Sequence, residues 1–278
     1  MKSQKLIVVD VDGTLVNDQK KITPRTLQAL HRAQAEGHIV AIASGRPVEG
    51  IEEYADQLLL KQFHGCVATQ NGTCNLDYAT KELLSDHTIP LEEAKSILQY
   101  VESIPSGYFI YENGRLYTNV PEGRVRERTA DINRLAIEYH PSFTEILSFS
   151  PRNITIVDRD DRIPEVSRKI LNIVEDRYTY SYSAPIFFEI MPKNASKGTA
   201  ILEIADARRI AHENIIAFGD EGNDLEMISM AGTGVAMGNA ISKIKEAAKA
   251  VTLTNNEDGI AVYLEEHVLS DRAGSVSI

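Results

Sequence analysis

Four short stretches carry residue types that could do chemistry together: Asp10-Val11-Asp12-Gly13-Thr14, Ser44-Gly45-Arg46, Ser196-Lys197-Gly198, and Gly219-Asp220 with Asn223-Asp224. The first follows the apolar run Leu6 to Val9, which suits a strand buried on both faces. Carboxylates beside such a strand are costly unless a cation or hydrogen bonds compensate them. Aspartates supplied by two separate strand ends, with no cysteine or histidine nearby, fit a hard divalent cation, and Mg²⁺ better than zinc. A hard cation plus backbone amides at loop-to-helix junctions also suits a phosphate group. One carboxylate could then attack phosphorus, and a second, two residues on, could serve the leaving group as an acid. Lys197 adds a point positive charge for the phosphoryl oxygens.

The elements that must position these residues follow the same logic. Thr23-Pro24 caps a helix that closes near Gly37, and His38 to Arg46 and Gly65 to Thr69 read as further strands. Ser196 to Ala211 reads as a helix, Asn214 to Asp220 as a strand, Asn223 to Met230 as a helix, and Gly259 to Val268 as a closing helix. Strands and helices alternate, so the expected fold is α/β: a doubly wound parallel sheet with ligands beyond the carboxyl ends of its strands. On that rule the strand ends at Asp10, Ser44 and Asp220 meet, and four aspartates converge.

The middle of the chain differs. Asn113-Gly114 between two strand-like runs signals a hairpin, and Leu91 to Val101 and Ile163 to Val174 read as helices. The expectation is an α+β cap over 86–190, inserted into a core made of 1–85 and 191–278. Tyr108, Tyr111 and Tyr117 build the hairpin, with a cap tyrosine facing the substrate as the alternative. Gly232 to Gly238, GTGVAMG, has one residue too many for a dinucleotide fingerprint and reads as packing and turn glycine.

Composition excludes several classes. The chain has 278 residues and a formal charge of −11, which speaks against a nucleic-acid surface and against anionic membranes. Cys66 and Cys74 give neither a disulfide framework nor zinc spacing, and no apolar run reaches spanning length. A cytoplasmic protein, monomeric or a small homo-oligomer, is expected.

In this order and spacing the four stretches resemble motifs I to IV of the haloacid dehalogenase-like (HAD) superfamily. The insertion between the second and third resembles the C2-type cap of the Cof-like phosphatases, subfamily IIB. The resemblance implies an Mg²⁺-dependent phosphatase acting on small phosphorylated metabolites, with sugar phosphates the leading class. It implies that Asp10 forms an aspartyl-phosphate and that Asp12 protonates the leaving oxygen and then activates water. The metal would be held by the Asp10 carboxylate, the Asp12 carbonyl and Asp220, with Asp224 in a supporting place. Phosphate would be bound by the Val11 and Gly45 amides, Ser44, Lys197 and Asn223. Arg46 and the Asn71-Gly72 loop are candidates for touching the rest of the substrate. A phosphomutase or phosphotransferase using the same Asp10, and a non-catalytic sugar-phosphate sensor, are the competing functions. A dehalogenase has no use for the carboxylate cluster, and a receiver-type signalling domain has none for a cap.

Overall fold

The computed structural model describes residues 3–270. Residues 1–2 and 271–278, the outer ends of the expected core, lie outside the described residues. Among the described residues fourteen strands form two sheets. In chain order they are β1 Leu6–Val9, β2 Ile39–Ala43, β3 Cys66–Thr69, β4 Cys74–Asp77, β5 Leu83–Asp86, β6 Gly107–Glu112 and β7 Arg115–Thr118. There follow β8 Ala136–Tyr139, β9 Ile154–Val157, β10 Tyr178–Ala184, β11 Phe187–Pro192, β12 Ile215–Gly219, β13 Thr233–Ala236 and β14 Ala250–Val251.

The larger sheet has the order β14-β13-β12-β1-β2-β3-β4-β5. It is parallel from β14 to β3, and β1 lies between β12 and β2. The apolar run of β1 is fully buried because its side chains alternate between two cores. Ile7 and Val9 pack with Leu30, Ala33 and Leu264 from helices Pro24–Ala35 and Gly259–His267. Leu6 and Val8 pack on the other face with Ala200, Ile201 and Ile204 of helix Lys197–Ala207. Burying each such aliphatic side chain contributes roughly 1.5–3 kcal/mol before entropy is counted.

The parallel sheet extends at one edge into two antiparallel strands, β4 and β5. The reason is the tight turn after β3, in which Gln70, Asn71 and Gly72 all take positive φ (50°, 58° and 88°). A turn that short can only return the chain antiparallel. Gly234 is a packing glycine within strand β13: a Cβ there would lie 2.0 Å from the Ile228 carbonyl oxygen.

The smaller sheet has the order β10-β11-β9-β6-β7-β8, antiparallel except for the pairing of β7 with β8. Alternation assigns its faces. Tyr108, Ile110, Ile154, Ile156, Phe188 and Ile190 pack with helices Leu91–Glu102 and Ile163–Val174. Residues of opposite parity, among them Tyr111, Thr155, Ser181 and Glu189, line a cleft of about 880 Å³ shared with the larger sheet. No helix among the described residues is long and apolar enough to cross a membrane.

Candidate active site

The cleft is floored by the carboxyl ends of β1, β2 and β12, and by the start of helix Lys197–Ala207. Asp10 follows β1 directly, and its amide donates to Phe218 O on β12 (3.1 Å), so the pairing of these strands fixes its position. Asp220 follows β12, and Asp224 sits in the short turn Gly222–Asp224 after it. Asp10, Asp220 and Asp224 are all buried, and one carboxylate oxygen of each lies within 4.8 Å of the others.

The four expected carboxylates are therefore three. Asp12 lines the same cleft but lies outside this group, clamped by Arg46, with Nε 2.9 Å and Nη2 2.8 Å from its two oxygens, and by Lys20 Nζ at 2.7 Å. Burial alone would raise the Asp12 carboxyl, but Arg46 and Lys20 outweigh it and hold the group below the usual carboxylate range. The same clamp occupies Arg46, which was expected to face the substrate. A two-residue spacing after a strand end does not fix which way the second side chain points, and a guanidinium matches carboxylate geometry better than solvent does.

Lys197 serves the cluster more closely than expected. Its side chain is 1% exposed, and Nζ donates to Asp10 Oδ1 and Asp224 Oδ1, each at 2.6 Å. Despite burial these two carboxylates hold the lysine well above its ordinary value. A lysine in the first turn of a helix opposes the dipole; here Ser196 caps the helix in a reciprocal pair with Thr199, and two carboxylates compensate the charge. Asp224 Oδ2 accepts from the amides of Asp220 (2.9 Å) and Glu221 (3.1 Å), so both of its oxygens are engaged within the protein.

Two contacts were missed. Thr14 Oγ1 donates to Asp220 Oδ1 at 2.7 Å, and Asn239 Nδ2 bonds Gly13 O at 2.8 Å beside Asp220 Oδ2. Thr14 stood inside the first motif, whereas nothing near Asn239 marked it. Gly13 is required twice over: its φ is +80°, and a Cβ there would meet Asp220 Oδ2 at 2.2 Å.

Ser44, Gly45, Lys197 and Asn223 line the cleft with Asp10. The Ser44 hydroxyl accepts from the Arg46 amide at 3.2 Å. Val11 is buried directly after Asp10 and packs into the core below the site. Asn71 is buried and links two parts of the cleft: its Nδ2 donates to Glu189 Oε2 (2.9 Å) and its Oδ1 accepts from Asn223 Nδ2 (3.1 Å). Gly72, expected beside the substrate, instead packs against the core, where a Cβ would lie 2.3 Å from Ser196 O.

The donor set fits Mg²⁺. It is carboxylate oxygen throughout, buried, and crowded with like charge. Burial raises the Asp10 carboxyl to about 8 against the pull of Lys197, with Asp224 and Asp220 adding to the rise. Burial likewise lifts Asp220 to about 6, although the Thr14 hydroxyl pulls it down. A bound Mg²⁺ supplies the charge that lets these groups ionise together.

Linkage gives a first test. Without metal, Asp10 and Asp220 hold their protons above the ordinary carboxylate value of about 4, so the unfolded chain ionises first as pH rises. Metal-free stability therefore falls through pH 4 to 8, the window set by folded values of about 6 and about 8. Mg²⁺ must displace those protons at low pH and meets fewer at high pH. The rise in Tm produced by Mg²⁺ is expected to grow from pH 5 to pH 8; a rise that shrinks over this range would contradict the assignment.

The sequence profile of haloacid dehalogenase-like hydrolases matches residues 7–264, and the chain belongs to that family. It is similar to the Bacillus subtilis enzyme 5-amino-6-(5-phospho-D-ribitylamino)uracil phosphatase YitU, with 31% identity covering 94% of this chain and 97% of that one. A crystal structure of a haloacid dehalogenase-like hydrolase from Bacteroides thetaiotaomicron superposes with a TM-score of 0.87, at 31% identity, covering 95% and 99% of the two chains. The HAD subclass IIB sugar phosphatase BT4131 superposes with a TM-score of 0.81, at 28% identity, covering 95% and 98%. The chain is thus a Cof-like, subclass IIB hydrolase of phosphate esters with an Mg²⁺ site built on the aspartate cluster.

Proposed function

We propose that the protein hydrolyses small phosphorylated metabolites, sugar phosphates foremost, through a phosphoryl group carried on Asp10. The observation that supports this most is Asp10 itself: a buried carboxylate at the end of the central strand, fixed by Lys197 at 2.6 Å and opening onto the cleft. In this reading Asp10 attacks phosphorus and its carboxylate forms the new P–O bond as the ester oxygen leaves. Asp12 takes up a proton from solvent, gives it to that oxygen, and then takes one from the water that releases phosphate. To do so it must leave Arg46 and Lys20 when substrate enters, so the clamp keeps the acid out of the site until then. Ser44, the Val11 and Gly45 amides, Lys197 and Asn223 bind the phosphoryl oxygens. Asp10, the Asp12 carbonyl and Asp220 would hold Mg²⁺, which would supply positive charge at the transferring group, and Asp224 positions Lys197 and the loop from behind. The division into a core of 1–85 and 191–278 and a cap of 86–190 belongs to the same reading. So do a cytoplasmic setting, a monomer or small homo-oligomer, and the lack of nucleic-acid or membrane partners.

The test is phosphate release from a panel of sugar phosphates, nucleotides and phosphorylated cofactors, with Mg²⁺ and with EDTA. Release that EDTA abolishes supports the reading. No release from any compound, or transfer to a sugar instead of water, would move the function to a sensor or a mutase. Asp12→Asn adds a second expectation. A general acid contributes about 10²–10⁴-fold where the leaving group needs a proton. In kcat/KM, which reports the phosphorylation step and not the later role of Asp12 as base, the variant should lose far more toward a hexose phosphate than toward p-nitrophenyl phosphate, whose phenolate departs unprotonated. Equal losses would remove Asp12 from that role.

A further inference from the structure

The cap side of the cleft carries polar groups that phosphate chemistry does not use. Glu189, on β11, is buried, and its carboxylate accepts from Ser183 Oγ (2.5 Å), Ser181 Oγ (3.4 Å) and Asn71 Nδ2 (2.9 Å). Its register partner on β9 is Thr155, on the same face of the sheet. The Thr155 hydroxyl is buried, lines the cleft, and has no hydrogen-bond partner among the described residues. Tyr111, on β6, lines the same wall, and its phenol is held up by burial and by the charge of Glu189. A buried hydroxyl without a partner is costly, and a ligand that bonds to it recovers that cost.

These groups are acceptors and hydroxyls grouped around one carboxyl, which burial pushes up while the hydrogen bonds from Ser183, Ser181 and Asn71 favour its charged form. The two cations lining the cleft, Lys197 and Arg46, both belong to its phosphate side, where Lys197 bonds Asp10 and Asp224 and Arg46 bonds Asp12. Such a surface matches a leaving group rich in hydroxyls. It opposes a leaving group bearing a second phosphate or a carboxylate, which would meet the Glu189 carboxyl on a wall where none of the described lining residues is a cation. Asn71 connects this wall to the phosphate side, since it bonds both Glu189 and Asn223.

We propose that Glu189, with Thr155 and Tyr111, forms the specificity wall of the site, selecting a neutral polyhydroxylated leaving group and rejecting one with a second anionic group. This rests on the phosphatase reading above. Glu189 accepts hydroxyl hydrogens from the leaving group, and Thr155 bonds a further hydroxyl.

The experiment measures kcat/KM for a hexose monophosphate, the corresponding hexose bisphosphate and p-nitrophenyl phosphate, in the wild type, Glu189→Gln and Thr155→Val. Ratios are taken within each variant, so a partly unfolded preparation scales all three rates alike. The monophosphate-to-bisphosphate ratio is expected to fall about tenfold or more in Glu189→Gln, because the repelling charge is gone. In Thr155→Val the ratio of hexose monophosphate to p-nitrophenyl phosphate should fall about 3- to 10-fold, carried by KM. Both ratios staying at their wild-type values would overturn the proposal while leaving the phosphatase reading intact. A wild type that releases phosphate from none of the three would remove both.

Discussion

Replacing Lys197 with methionine is expected to destabilise the protein by about 3–5 kcal/mol, the cost of breaking a buried ion pair from one side. The lysine is the only side chain that bonds both Asp10 and Asp224 among the described residues, and the three side chains are 1%, 9% and 0% exposed. Without it two buried carboxylates face one another. For a domain whose total stability is roughly 5–15 kcal/mol, that is a large fraction. The loss has a sign in pH. Removing Lys197 takes away the pull that lowers Asp10, so its carboxyl rises further above the unfolded value. The variant should be weakest at pH 8, where folding must bury that charge or hold its proton, and closest to the wild type in acid. Mg²⁺ should restore part of the loss by replacing the missing cation. The double variant Lys197→Met/Asp224→Asn should recover more, because one of the two stranded charges is gone. Urea unfolding in EDTA and in Mg²⁺ reads all of this. A Lys197→Met protein as stable as the wild type at pH 8 in EDTA would show that the cluster does not depend on the lysine.

The largest catalytic effect is expected from Asp10→Asn: a loss of about 10³-fold or more in phosphate release. Asparagine keeps the shape and packing of the side chain but lacks the charge and nucleophilicity of a carboxylate. The fold should survive. In EDTA at pH 8 the variant should be at least as stable as the wild type, since an ionised or proton-retaining carboxyl no longer has to be buried there. The Tm gain from Mg²⁺ should shrink at the same time, because one ligand has lost its charge. Activity within tenfold of the wild type would place the nucleophile elsewhere.

Much of the catalytic floor was legible because its chemistry tolerates few residue types and sits at strand ends. Asp10, Ser44, Lys197 and Asp220 follow apolar runs or open a helix, and the parallel order of β12, β1, β2 and β3 brings those ends together. Directions of side chains were not legible. Asp12 and Arg46 are 34 residues apart, and no local pattern says that they pair. The cap wall was hidden for the same reason. Glu189 is a single acid in the otherwise apolar strand Phe187–Pro192, and its partner Asn71 lies 118 residues away. β4, with the sequence CNLD, offered no apolar run, although it is wholly buried against β3 and β5. β10 was legible in principle, since YTYSYSA alternates with the period of a strand. The helix Arg124–Asn133 was not: charged and polar residues dominate RVRERTADIN, and only Ala130 is a buried hydrophobic.

The most direct measurement of the central claim is an acid quench of Asp12→Asn during turnover of p-nitrophenyl phosphate with Mg²⁺, followed by peptide mass analysis. The good leaving group lets Asp10 be phosphorylated without an acid, and the missing base slows release of the phosphoryl group. A phosphoryl group on the peptide carrying Asp10, absent when Asp10 is also asparagine, is the predicted result. Nitrophenol released with no phosphoryl group on the chain, or with one on a peptide lacking Asp10, would contradict it.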